Sequence, residues 1–70
     1  MTVAERFAKY STQEIVDGIA RLERKIDEAA AAMKTFKAEK NVEFFNGAKD
    51  LYEDYCEKLL DAKIALESRL

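Results

Sequence analysis

Any chemistry in this chain must come from carboxylates, one thiol, tyrosines, lysines and arginines, because the sequence contains no histidine. That removes the commonest general base and the commonest zinc ligand. Glu53, Asp54 and Glu57 include a carboxylate pair at helical spacing, the arrangement that can hold a cation or move a proton. Helical di-metal sites add Glu-x-x-His motifs, which this chain cannot supply. Cys56, the only cysteine, stands beside Tyr55 with no base to activate it, and reads as a structural thiol. There is no Gly-rich phosphate loop, zinc spacing or nucleophile–base set. The expectation is a protein that is not an enzyme, with no catalytic residue, no metal and no cofactor.

Two binding constellations remain. Tyr10, Arg21, Lys25 and Lys34 combine cations suited to phosphate with a ring suited to a base, so together they would hold an anionic, nucleotide-like molecule. Phe44 and Leu51, rimmed by Lys49, Asp50 and Asp54, would offer an apolar strip to another protein. Each reading depends on which residues share a face, and hence on the elements that carry them.

Ile15, Ile19, Leu22, Ile26, Ala29, Met33 and Phe36 follow one another at alternating steps of four and three, a heptad seam on a helix packed along its length. Ser11-Thr12-Gln13-Glu14 is a capping box that starts this helix. After Phe36 the seam would fall on the charged Lys40 and Glu43, so the helix ends near Lys40. A second seam runs through Phe45, Ala48, Tyr52, Tyr55, Leu59, Ala62 and Leu66. Folded antiparallel, the two seams mirror each other about the Lys40–Asn41 bond, with large residues repeatedly facing small ones. That register outweighs Asn46-Gly47, the stronger turn dipeptide taken alone, and places Gly47 inside a helix. Gly18 also falls in a helix interior, either as a tolerated flaw or as a place where a neighbour comes close. Val3, Phe7 and Tyr10 mark one face of a short first helix.

The expected fold is one all-α domain: a short helix over 2–10, a long helix over 12–39, a turn at 40–42 and a long helix over 43–69. The long helices form an antiparallel, coiled-coil-like hairpin that completes a helical bundle by homo-oligomerisation, most simply as a dimer. Seventy residues with one cysteine sit near the lower limit for a self-sufficient core, and a second subunit is the supplement left open. The first helix is expected to cover Val16, Leu60 and Ile64, which leaves Phe44 and Leu51 uncovered.

A net charge of −2 and a pI near 5.1 argue against binding nucleic acid by bulk electrostatics. No apolar run is long enough to span a bilayer, and the first residues do not read as a signal peptide, so no membrane partner and a cytoplasmic location are expected. In architecture the hairpin resembles small dimeric plasmid-encoded four-helix regulators. The leading function is a small interaction protein that binds and regulates or inhibits another protein, in the manner of a phage or plasmid accessory factor. The alternative is an oligomer that binds or sequesters an anionic small molecule. A weak nucleic-acid-binding regulator comes third.

Overall fold

The computed structural model describes residues 2–70 and contains α1 (Val3–Phe7), α2 (Thr12–Ala38) and α3 (Val42–Glu67). The two long helices pack against each other as an antiparallel hairpin, and α1 docks on α3.

α1 is shorter than the expected helix over 2–10. Thr2 caps its start by accepting from the Glu5 amide at 3.2 Å. Past Phe7 the chain tightens: the Ala8 amide donates to the Glu5 carbonyl at 3.3 Å, and the Tyr10 amide to the Phe7 carbonyl at 3.0 Å. Ser11 must then be extended, with φ −71 and ψ 160, to cap α2. Its hydroxyl accepts from the Glu14 amide at 3.1 Å, and the Glu14 carboxylate accepts from the Ser11 amide at 3.2 Å. The capping box that begins α2 is what stops α1.

The turn occupies 39–41. Asn41 donates its amide to the Phe36 carbonyl at 2.9 Å, and Lys40 donates to the Lys37 carbonyl at 3.1 Å. This is a Schellman ending, and Lys40 takes the left-handed conformation that it requires, at φ 58. Asn41 then caps α3 by accepting from the Phe44 amide at 3.2 Å. Asn46 and Gly47 lie inside α3, as the mirrored seams require.

Every position of both seams is buried or half-buried. The buried ones are Ile15, Ala29, Ala48 and Ala62, joined by Ala65 outside the seam; the larger seam side chains keep some exposure. The core is therefore deepest at the open end, where Val3 and Phe7 of α1 pack on Ile15, Ala62 and Ala65. This differs from the expected cover of Val16, Leu60 and Ile64, which stay 41%, 59% and 43% exposed. α1 lies on the other flank of the hairpin because Ala62 and Ala65 let a short helix approach α3 closely. Arg6 fixes it there through Asp61 at 2.8 Å, as does Arg69, which donates to the Phe7 carbonyl at 2.7 Å and to Thr12 Oγ1 at 3.3 Å.

The result is a plate of 44 × 22 × 15 Å, two helices wide and one thick over most of its length. It exposes 5336 Å². A compact monomer of this mass exposes about 4,450 Å². No helix among the described residues is long and apolar enough to cross a membrane.

Candidate functional site

Two heptad rows define the flank that α1 shares. On α2 the row is Gly18, Lys25 and Ala32, continued by Glu39 at the C-cap; on α3 it is Phe44, Leu51, Lys58 and Ala65. Residues seven apart fall on nearly the same side of a helix. Ala65 is buried under α1, while Gly18 and Lys58 line a cavity with Phe7 and Tyr10. At the turn end, the Phe44 ring meets the Phe36 ring at 5.4 Å. α1 thus fills only the open end of the groove between α2 and α3.

Below α1 lies a cavity of about 460 Å³. Phe7, Tyr10, Ile15, Leu22 and Ala62 give its apolar walls, and Arg21, Lys58, Glu14 and Asp17 its charged rim. Tyr10 is held over it by Phe7 at 5.9 Å and by the Lys9 ammonium, 5.3 Å from the ring centre. The two carboxylates are engaged, Glu14 by the Ser11 amide and Asp17 by the Gln13 amide group at 2.9 Å. Lys58 is paired with Asp54 at 3.0 Å, and the hydrogen bond and charge of that carboxylate raise the lysine pKa above its ordinary value. Arg21 has no ion pair among the described residues.

The structure brings Tyr10 and Arg21 to one cavity but leaves Lys25 and Lys34 off its wall. Lys25 lies one heptad further along the groove, and helical spacing turns Lys34 to the opposite flank. Phe7, Gly18 and Lys58 complete the cavity and were absent from the residues singled out by type. Lys58 was legible, since it follows Leu51 by seven.

Further down the same flank, Phe44 and Leu51 are 59% and 52% exposed. Of their proposed rim, Asp54 lies one turn from Leu51 and borders it. Asp50 points outward from the hairpin, and Lys49 falls on the far flank by helical spacing. Both glycines also belong to this flank: Gly18 in the cavity wall, and Gly47 between Phe44 and Leu51. A methyl group built on either would meet no atom within 4 Å. The close neighbour that would justify Gly18 is therefore not supplied by the chain itself.

Comparison with protein-family models, curated proteins and solved structures gives no match. The residues alone carry the functional argument. Among the described residues, no group of Cys, Asp and Glu is clustered closely enough to hold a metal ion. Glu53, Asp54 and Glu57 do not converge, and Asp54 is committed to Lys58. Cys56 is a half-buried free thiol.

Proposed function

We propose that this chain is a helical interaction protein, not an enzyme, that works as a homo-oligomer and binds another protein to regulate or inhibit it. One observation carries the reading. Phe44 and Leu51 stand 59% and 52% exposed on a groove that α1 fills only at its open end. Large side chains grouped on one flank of a small domain mark an interface. A role as a phage or plasmid accessory factor in the cytoplasm is the setting proposed for such a compact, single-purpose protein.

The test is Leu51→Glu. The position is solvent-exposed, so helicity and thermal unfolding should stay near wild type. Loss of the wild-type assembly state, or of the protein that co-purifies with the wild-type chain from its own cells, is the expected result. Retention of both at wild-type levels would refute the assignment of the strip.

A second reading, an oligomer that binds an anionic small molecule, is favoured by the meeting of Tyr10 and Arg21 at a cavity of about 460 Å³. Pockets of this size take small ligands. Binding would raise the unfolding temperature by mass action. A nucleotide series that leaves the temperature unchanged at millimolar concentration would end this reading.

A further inference from the structure

We propose that the occupant of the Phe44–Leu51 strip is a second copy of this chain, laid antiparallel across the flank that carries α1. The proposal rests on reading the strip as an interface, and it names the partner and the register.

The size of the exposed surface comes first. The chain exposes 5336 Å², about 900 Å² more than a compact monomer of its mass. A stable dimer buries about 800 Å² on each partner. The excess matches one such interface.

The register follows from the two rows. A two-fold axis lying across the hairpin at Ala32 sets α2 against the partner's α2 and α3 against the partner's α3. Ala32 then meets its own copy, where its small side chain lets the helices come close. On α3 the same axis sets Leu51 over the partner's Gly47, and Gly47 under the partner's Leu51. A large exposed side chain thus faces the one place on α3 that lacks a Cβ and has nothing within 4 Å to fill it. A glycine inside a helix costs stability that no contact within the chain recovers. Here it becomes the hole for the knob.

On the α2 row, charge agrees with this register. Lys25 and Glu39 stand at equal distances on either side of Ala32 on the α2 row, so each lysine falls opposite the partner's Glu39. Lys25 has no ion pair within its own chain among the described residues. The partner's turn ends beside Lys58, whose charge is already answered by Asp54. α1 remains clear, since the partner's turn reaches only as far as Lys25 and Lys58. The opposite flank, with Val16, Leu60 and Ile64, is left free on both copies.

The test uses the full chain with Cys56→Ser. Ala32→Cys in this background should form a disulfide-linked dimer on mild oxidation, because a residue on the axis meets itself. Ala31→Cys, turned outward, should not. Lys25→Glu should weaken the dimer in sedimentation equilibrium by about tenfold, since the like-charge pair forms twice. Adding Glu39→Lys should restore it. Rescue by the swap is an effect that simple destabilisation cannot produce. A wild-type monomer at high micromolar concentration overturns the proposal, and so does a dimer that cross-links equally through Ala31→Cys. If a monomeric wild type still loses its co-purifying protein on Leu51→Glu, the strip is an interface but its occupant is not a second copy. If Leu51→Glu alters neither assembly nor co-purification, the strip itself is misread.

Discussion

Replacing Gly18 and Gly47 by alanine separates what the fold needs from what binding needs. Both sit in helix interiors with ordinary helical φ, and neither has an atom within 4 Å of the position a Cβ would take. Alanine is favoured over glycine in a helix by about 1 kcal/mol, and no clash opposes it here. The two positions lie roughly 24 Å apart along the hairpin at about 1.5 Å per residue, far enough for the effects to add. The double variant should gain about 2 kcal/mol, which is roughly 8–16 °C in melting temperature for a chain of this size. Urea unfolding in a Leu51→Glu background is the assay, because it removes any contribution from self-association. The midpoint should rise while the slope stays constant. A fall in stability for either single variant is the contrary result, since it would require a neighbour in space that the structure leaves empty. The functional half is the reverse. Gly47→Ala should weaken dimerisation in an otherwise wild-type chain, and Gly18→Ala should weaken any ligand in the cavity beneath α1, although each makes the monomer more stable.

Two further outcomes follow from local geometry. Lys40 holds φ 58, which costs a residue with a side chain about 1–2 kcal/mol relative to glycine. Glycine gives back about 0.4–1 kcal/mol through the unfolded chain, so Lys40→Gly should stabilise by about 1 kcal/mol in chemical denaturation. Lys40→Ala should not. Arg69→Ala removes the bonds to the Phe7 carbonyl and to Thr12 Oγ1 that pin α1. Hydrogen exchange at the Arg6, Ala8 and Tyr10 amides should quicken by about fivefold, while α2 and α3 keep their protection. Equal acceleration throughout would show that α1 is not an independent unit.

Much of the architecture was legible because its causes are local or periodic. Ser11 and Glu14 announce the start of α2 with two side chains three residues apart, and the capping box is present as read. The alternating steps through Ile15–Phe36 and Phe45–Leu66 fix which stripe of each helix is covered. Their mirror symmetry placed the turn at Lys40 and Asn41 rather than at Asn46-Gly47. The exposure of Phe44 and Leu51 followed, because neither lies on a seam. The candidate cavity was only half legible. Tyr10 and Arg21 can be nominated by type, but their meeting depends on which flank α1 takes, and only charge links Lys25 and Lys34 to them.

The hairpin, its register and its turn can be read from the chain alone, since heptad spacing and capping act between residues near in sequence or matched along two regular helices. The place of α1 depends on contacts made only in the folded molecule. Val3 and Phe7 present the same apolar face whichever flank receives it, so periodicity cannot choose between Val16, Leu60 and Ile64 on one side and Ala62 and Ala65 on the other. The choice falls to close approach over alanine and to the long-range bonds from Arg6 to Asp61 and from Arg69 to Phe7. Those contacts join positions more than fifty residues apart in the chain. They settle which part of the groove between α2 and α3 is left open.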